Sequence, residues 1–186
     1  MKKKNIISIS GELASGKSTI INHLLEDLGY TVYRNGEYFR KLAKEMNMSV
    51  TDFNVYVEDH PEIDRQIENS AAEYAKENDE FIIDARLGWY AVPESFKVYV
   101  TVDIDEAAKR AFNDPNRKET ESFNTIEEQK ADIQKRYKLE NDRYFNLYNV
   151  HKDDLSNYDF VIDTTNLTPK EAANKIKEEY HKWLKK

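Results

Sequence analysis

The chain has 186 residues and a mass of 21.9 kDa, the size of one domain, so we predict a single domain over residues 1–186. Its net charge of −7 argues against a broad nucleic-acid-binding face, and the absence of cysteine excludes disulfides, thiol nucleophiles and thiolate metal sites. No apolar run approaches the roughly 20 residues that span a membrane. We therefore expect a cytoplasmic protein without nucleic-acid or membrane partners. The sequence leaves the oligomeric state open, and we favour a monomer.

Short apolar runs with high β propensity alternate along the chain with longer segments of helical period. The predicted strands cover residues 5–10, 31–34, 81–84, 96–102 and 159–163. Strands that alternate with helices are typical of a parallel sheet with helices on both faces. The sequence therefore predicts an α/β fold of three layers around a five-stranded parallel sheet.

The intervening helices are marked by their start and stop signals. They comprise a first helix ending at Gly29, a helical block over 36–78 with breaks near Met48 and Pro61, a short helix over 105–112, a charged helix over 125–148, and a last helix opening at Thr168. Residues 113–120 form the clearest loop, because they combine Asn, Asp and Pro. Thr168 is predicted to cap the last helix because Pro169 and a capping-box Glu171 follow it.

Residues 11–18 match the phosphate-binding pattern G-x-x-x-x-G-K-[ST] without a gap. The two glycines let the backbone curl so that successive N–H groups point at a phosphate, and the following helix directs its positive end at the same anion. We expect Lys17 to bind the β- and γ-phosphates of ATP as a catalytic cation and Ser18 to bind Mg²⁺. The expected ATP-binding residues of this P-loop are Gly11, Ala14, Ser15, Gly16, Lys17, Ser18 and Thr19.

The segments after the P-loop favour transfer of a phosphoryl group over hydrolysis. No guanine-reading N-K-x-D segment follows the fourth predicted strand, and the third ends in Asp84-Ala85-Arg86 instead of an acidic pair that could activate water. Open α/β sheets bind ligands at the carboxyl ends of their strands. An arginine at that edge indicates a second anionic substrate facing the P-loop.

Arginine is the scarcer cation in this chain, and several of the eight arginines fall where a ligand would lie. Arg40 follows the second predicted strand and Arg86 ends the third. On the long helix, Arg136, Glu140 and Arg143 share one face because of their spacing. Arg117 lies in the preceding loop. Positioned arginines stabilise a transferring phosphoryl group, although an ordinary surface ion pair is the alternative for Arg117, Arg136 and Arg143.

Several further segments, taken with the P-loop, resemble the cytidylate kinases, especially the short archaeal-type branch. They are residues 35–45, 59–64, 84–89, 136–144 and 155–159. The resemblance extends nearly from end to end. It implies a nucleoside monophosphate kinase fold with an acceptor-binding helical arm over about residues 36–78 and a lid over about residues 113–147.

The resemblance also implies roles for individual residues. The residues implied to bind the acceptor monophosphate are Arg40, Asp84, Arg86, Glu140 and Arg143, and Asp84 would also lie near Mg²⁺. Arg136 would be a lid cation on the transferring phosphate, and Arg143 would join it and Lys17 in catalysis. Arg110 would approach the donor phosphates. The implied reaction is Mg²⁺-dependent transfer of the γ-phosphoryl group of ATP to CMP, dCMP or a close nucleoside monophosphate.

This chain departs from the family pattern at a few positions, which leaves the choice of base and sugar open. Ala14 and Ala85 stand where family members usually have glycine, and Leu87 stands where bacterial members have aspartate, as in the archaeal branch. UMP is therefore a further possible acceptor. Two other functions stay open from the sequence: a P-loop kinase of a non-nucleotide metabolite, and a non-catalytic protein that binds ATP as a conformational ligand.

Overall fold

A five-stranded parallel sheet forms the centre of the computed structural model, which describes residues 4–49, 52–53, 56–57, 59–115 and 123–186. The strands are β1 (Ile6–Gly11), β2 (Thr31–Arg34), β3 (Phe81–Asp84), β4 (Phe96–Thr101) and β5 (Phe160–Asp163), in the spatial order β2-β3-β1-β4-β5. The five strands and their parallel pairing confirm the predicted sheet, with strand ends shifted by one residue at most.

Helices cover both faces of this sheet. They are α1 (Lys17–Leu28), α2 (Asn35–Glu45), α3 (Pro61–Glu77), α4 (Gly88–Ala91), α5 (Ile104–Asn113), α6 (Ile126–Tyr148) and α7 (Pro169–Leu184), with a 3₁₀ turn at Leu155–Asn157. The short α4 and the 3₁₀ turn were not predicted, since four residues or fewer carry no measurable helical period. Among the described residues, none of the helices is long and apolar enough to cross a membrane.

β1 is the central strand, and all six of its residues are buried. It pairs with β3 on one side and with β4 on the other. Because alternate side chains of a strand point to opposite faces, Ile7 and Ile9 join the core formed with α1 and α7, whereas Ile6 joins a second core that contains Ala71 of α3. This continuous apolar strand anchors the loop that follows it.

The helix ends predicted from the sequence have the expected capping interactions in the structure. Gly29 ends α1 in the left-handed conformation, with φ 69°, and its N–H donates to the carbonyl of Leu25. Thr168 and Glu171 form the predicted capping box at the start of α7.

Two helical regions lie beside the sheet, in the segments where an arm and a lid are predicted; whether they act as such stays a prediction. In the first, α2 and α3 share a small core that contains Ala43, Phe53 and Ile67. In the second, Ile133 of α6 packs against α5 near the P-loop, while the other end of α6 places Tyr144 against Leu87 and Trp89. The loop residue Arg117 and the rest of residues 116–122 lie outside the described residues.

Candidate active site

The P-loop lies at the carboxyl end of β1, where the chain order of the sheet reverses between β3 and β4. Gly16 has φ 82° and Ala14 has φ 59°, so both adopt the left-handed conformation that glycine tolerates best. The buried Ser15 hydroxyl donates to the carbonyl of Glu12 at 2.8 Å and closes the loop on itself. A cavity of 340 Å³ lies over this loop and the first turn of α1.

The two P-loop glycines are glycine for different reasons. Gly16 needs its positive φ, as the phosphate-binding curl requires. Gly11 lies against β4, and a side-chain Cβ there would come within 2.6 Å of the carbonyl oxygen of Val100. Gly11 is therefore required by the packing of β1 on β4, which fixes where the loop starts, and the predicted phosphate curl is carried by Ala14 to Gly16.

Arg110 of α5 and Thr164 after β5 brace the far wall of the P-loop cavity. Arg110 donates to the carboxylate of Glu106 at 2.9 Å and to the carbonyls of Thr164 and Thr165 at 2.8 and 3.1 Å. The buried Thr164 hydroxyl lies 2.9 Å from the carbonyl of Ser15. Beyond Arg110, an adjoining cavity of 270 Å³ extends along the P-loop to Leu167 and Pro169.

Three charged side chains meet where the neighbouring strands β1, β2 and β3 end. Lys17 forms an ion pair with Asp84, the last residue of β3, and the Arg34 Nε lies 3.6 Å from the other carboxylate oxygen of Asp84. The Lys17 side chain is only 13% exposed. Burial and the charges of Arg86 and Arg34 lower the pKa of Lys17 from its ordinary value, while the charge of Glu140 opposes that shift.

Arg86 lies just beyond β3 and is held from several directions. Its Nε lies 3.1 Å from a carboxylate oxygen of Glu140, and its backbone carbonyl lies 3.0 Å from the buried hydroxyl of Ser10. The same carboxylate oxygen of Glu140 also accepts from the Nζ of Lys152 at 2.8 Å. Lys152 has only 3% of its side chain exposed. Glu140 is therefore a carboxylate between two cations, one of which faces the sheet edge.

A second cavity, of 480 Å³, lies between the sheet edge, α2, α3 and α6. The charged side chains that line it are Lys17, Arg34, Arg40, Asp64, Glu68, Asp84, Arg86 and Arg143. Arg143 of α6 forms an ion pair with the buried Asp64 of α3, and so links the two helices. This cavity and the P-loop cavity share two lining residues, Lys17 and Arg86.

A buried polar cluster forms the inner wall of the second cavity. Glu68 of α3 accepts from the amide of Asn35 at 3.1 Å and from the hydroxyl of Tyr144 at 3.4 Å. Burial, together with the charge of Asp64, raises the pKa of Glu68 from 4.5 to about 7. A carboxyl group that titrates near neutrality is thus built into this wall.

Comparisons with known proteins identify the family of this chain. A sequence profile of the cytidylate kinase-like family matches residues 6–166. The chain belongs to this family. It is 36% identical over 168 residues to the cytidylate kinase of Thermoplasma acidophilum, covering 90% of this chain and 87% of that protein. It is 37% identical over 165 residues to the cytidylate kinase of Thermococcus kodakarensis, covering 88% of this chain and 81% of that protein.

A solved structure shows that the fold is that of a P-loop kinase. The shikimate kinase of Bacteroides thetaiotaomicron superposes with a TM-score of 0.63 at 12% identity, covering 97% of this chain and 98% of that one. The predicted family and fold class are therefore confirmed. As a member of the cytidylate kinase-like family, the chain is an enzyme of the nucleoside monophosphate kinase class.

The structure brings together most of the residues that the sequence singled out. The P-loop cavity is lined by Ala14, Ser15, Gly16, Lys17, Ser18, Thr19 and Arg110. The second cavity is lined by Arg40, Asp84, Arg86 and Arg143, and Glu140 contacts Arg86 at the junction. Within the described residues Arg136 lines neither cavity, and its guanidinium lies 3.8 Å from Asp132 on its own helix.

Other residues of the site were missed, for different reasons. Arg34 ends a predicted strand, so the rule that ligands bind at carboxyl ends could have found it. Ser10 and Thr164 act through backbone carbonyls that only the folded chain brings near. Glu68 and Lys152 had no sequence signal, because ordinary exposed helices and loops contain the same residue types.

The oxygen ligands near the P-loop suit Mg²⁺. This ion prefers hard oxygen ligands, and is often bound through one or two protein groups with substrate phosphates and water completing its shell. The Ser18 hydroxyl lines the P-loop cavity and the Asp84 carboxylate lines the second cavity, and both are oxygen groups of the kind that such a shell uses. Among the described residues there is no cluster of three or more His, Cys, Asp or Glu that would form an all-protein metal cage.

Proposed function

We propose that this enzyme transfers the γ-phosphoryl group of ATP to CMP or dCMP in a Mg²⁺-dependent reaction. The observation that carries the proposal is the junction of the two cavities at Lys17 and Arg86. A donor phosphate chain over the P-loop and an acceptor phosphate in the second cavity would meet between these two cations. Holding two polyanions in line is most of what phosphoryl transfer requires of a protein.

On the donor side, the backbone N–H groups around Gly16 and the ammonium of Lys17 would bind the β- and γ-phosphates. The adjoining cavity beside Arg110, with Leu167 and Pro169 on its wall, would take the nucleoside. Gly11, Ala14, Ser15, Ser18 and Thr19 complete the proposed ATP site.

On the acceptor side, the guanidinium groups of Arg40 and Arg86 would hold the monophosphate. Arginine suits this role because its planar group donates two parallel hydrogen bonds to a phosphate. Arg34 reaches the same cavity and neutralises Asp84, so that one carboxylate at the sheet edge does not repel the acceptor. Arg143 and Glu140 would connect acceptor binding to α6.

In the transfer step, a phosphate oxygen of the acceptor forms a bond to the γ-phosphorus of ATP as the bond to the bridging oxygen of ADP breaks. The attacking oxygen is already anionic, so no general base is needed. Lys17 and Arg86 would stabilise the charge that develops between donor and acceptor. Arg136 would join them as α6, acting as a lid, closes over the nucleotides and excludes water.

Ser18 and Asp84 would hold Mg²⁺. Mg²⁺ held there would supply positive charge that neutralises part of the charge of the donor phosphates. Asp84 would be available for this role because Lys17 can turn from its carboxylate to the donor phosphates.

We propose CMP or dCMP as the acceptor because the relatives at 36% and 37% identity are cytidylate kinases. The proposed arm, over about residues 36–78, would bind the base, and the proposed lid, over about residues 113–147, would close over the donor. The second cavity, of 480 Å³, is within the size range of small-ligand sites, and its polar lining matches a nucleotide.

The test is the release of ADP from ATP and Mg²⁺ by purified protein, without an acceptor and with CMP, dCMP, UMP, AMP or GMP one at a time. The expected result is strong stimulation by CMP or dCMP. The same turnover with and without every monophosphate would contradict the proposal, and would direct the search to a non-nucleotide metabolite. Binding of ATP without any turnover would indicate the non-catalytic alternative.

A further inference from the structure

Lys152 is a buried lysine in the segment that follows α6, with 3% of the residue exposed. Removing an ammonium group from water is unfavourable unless the charge is paired. Its Nζ lies 2.8 Å from the Oε2 atom of Glu140 and 5.0 Å from the ring centroid of Tyr137, over the face of that ring. The transfer step proposed above does not use this cation.

Other contacts attach the same segment to its surroundings. The neighbouring Asp153 accepts from the Tyr137 hydroxyl at 2.9 Å and from the Asn141 amide at 3.0 Å, both on α6. The backbone carbonyl of Lys152 accepts from the Tyr158 hydroxyl at 2.6 Å. These three hydrogen bonds hold the segment without the Lys152 ammonium, so the ammonium has a separate effect, which falls on Glu140.

Glu140 contacts the guanidinium of Arg86 through both of its carboxylate oxygens. The Arg86 Nε lies 3.1 Å from Oε2, and the Arg86 Nη2 lies 3.4 Å from Oε1. An arginine that binds a phosphate through two parallel hydrogen bonds uses the same N–H groups. Arg86 must therefore loosen its contact with Glu140 to take a phosphate. Lys152 contacts Oε2 as well, and so remains a partner for that oxygen.

The charges of the three side chains explain why this second partner matters. Arg86 and Glu140 alone would form a neutral pair, whereas the group with Lys152 carries a net positive charge. Although burial acts in the opposite direction, the charges of Arg86 and Lys152 hold the pKa of Glu140 below its ordinary value. A carboxylate left without a cation beside two phosphate-binding cavities would repel both ligands.

We infer that Lys152 is a positioning residue for phosphoryl transfer, which neutralises Glu140 so that Arg86 can bind the acceptor phosphate. This rests on the proposed function, which assigns Arg86 to that phosphate. Lys152 does not touch the substrate and acts through Glu140 and Arg86. Without its charge, Glu140 would hold Arg86 more tightly, and the junction of the two cavities would lose its net positive charge.

Lys152→Met tests this role, because it removes the charge and keeps a long apolar side chain. We expect the KM for CMP to rise about tenfold, within the range for coupled residues of one ion-pair network, with a smaller change in kcat. Binding of ATP without an acceptor, measured by calorimetry, should change much less, since the backbone of the P-loop also holds the donor phosphates. A merely structural role, in which α6 loosens, would lower kcat and leave the KM for CMP near the wild-type value.

Asp153→Asn is the matched control on the same segment. It removes a charge next to Lys152, but its amide carbonyl can still accept from Tyr137 and Asn141. We expect a wild-type KM for CMP. If Lys152→Met fails to fold, Lys152→Gln serves in its place, because it is neutral and still has a donor for the carboxylate of Glu140.

A double-mutant cycle shows whether Lys152 acts through Glu140. Lys152→Met is introduced into the wild-type protein and into Glu140→Gln, and its effect is measured within each background. Any direct effect of Glu140→Gln on the acceptor then cancels. The tenfold loss in the wild-type background is expected to shrink to less than about twofold in Glu140→Gln, because a neutral side chain there no longer retains Arg86 by its charge.

Two results would overturn the inference and leave the proposed function intact: a wild-type KM for CMP in Lys152→Met, or the same loss in both backgrounds of the cycle. If CMP and dCMP do not stimulate the wild-type enzyme at all, the proposed function fails first and the inference falls with it.

Discussion

The P-loop and the second cavity, proposed above as the donor and acceptor sides of this enzyme, are built by different means. The donor side is a contiguous loop whose shape depends on backbone conformation and on close packing, as Gly11 and Gly16 show. The acceptor side collects charged side chains from β2, β3, α2, α3 and α6. A site built from backbone groups is specified by a short motif, whereas a site built from distant side chains is specified only by the whole fold.

The two sides also destabilise the folded protein in different ways. On the donor side, the cost is local backbone strain at Ala14, a residue with φ 59°. On the acceptor side, the cost is electrostatic, because Asp64 and Glu68 are carboxyl groups of which only 2% and 6% are exposed. The variants below test the backbone strain and the buried charge separately, together with the proposed role of each side.

The largest expected effect is that of Lys17→Ala, which removes one of the two cations that line both cavities. We expect kcat to fall by about 10³ or more, equivalent to about 4 kcal/mol of transition-state stabilisation. The measurement is steady-state ADP release, with thermal unfolding to verify the fold. Lys182→Ala, at an exposed position of α7, is the matched control. Ordinary turnover in Lys17→Ala would contradict the P-loop assignment.

Arg86→Ala should separate the two sides. Because Arg86 faces the acceptor cavity and contacts Glu140, we expect kcat/KM for CMP to fall by about 10². Binding of ATP, measured by calorimetry without an acceptor, should change much less. Arg65→Ala, on the exposed face of α3, should behave as wild type. Unchanged kinetics with CMP would remove Arg86 from the acceptor site.

The electrostatic cost of the acceptor side can be measured as a pH dependence of stability. The pKa of Glu68 is about 7 in the folded protein against 4.5 ordinarily, so the folded state binds more protons between these values. The free energy of unfolding should therefore decrease as pH rises from 5 to 8. The contribution of Glu68 should be on the order of 2 kcal/mol.

Glu68→Gln should lack that contribution, so its stability relative to wild type should increase with pH in urea titrations. A parallel pH dependence of the two proteins would show that Glu68 titrates normally.

The smallest effect should be that of Ala14→Gly on the donor side. Glycine adopts a positive φ without the penalty of a side chain, which is about 1–2 kcal/mol for other residues. Part of this gain is offset by the greater freedom of glycine in the unfolded chain. We expect a net stabilisation of about 0.5–1 kcal/mol, visible as a slightly higher Tm. A lower Tm would mean that the strain at Ala14 is compensated locally.

The same contrast explains how far sequence reasoning could go. The five strands and the P-loop were predictable because their signals are local: apolar runs, glycine spacing and helix caps. The placement of Arg86 was predictable because a strand end lies at the ligand-binding edge of an α/β sheet. The pairing of Arg143 with Asp64 and of Asn35 with Glu68 depends on the approach of helices far apart in the chain. No pattern within a short stretch of sequence predicts such a contact.

Arg136 shows what helical spacing alone cannot predict. Its spacing with Glu140 and Arg143 correctly indicated a common helix, but not which neighbours each side chain meets. Glu140 contacts Arg86, whereas the guanidinium of Arg136 lies near Asp132. The role of Arg136 at the transferring phosphate remains a prediction, to be tested by the kinetics of Arg136→Ala.

The hydroxyl of Thr164 joins three separate parts of the donor side. It lies 2.9 Å from the carbonyl of Ser15 in the P-loop and 3.0 Å from that of Thr101 at the end of β4, and it accepts from Arg110 at 3.3 Å. Such bracing holds the loop in one shape without a ligand, so on the proposed function association with ATP would not be slowed by a search for the bound shape. The intrinsic affinity of ATP would then remain available to drive the lid closure proposed above.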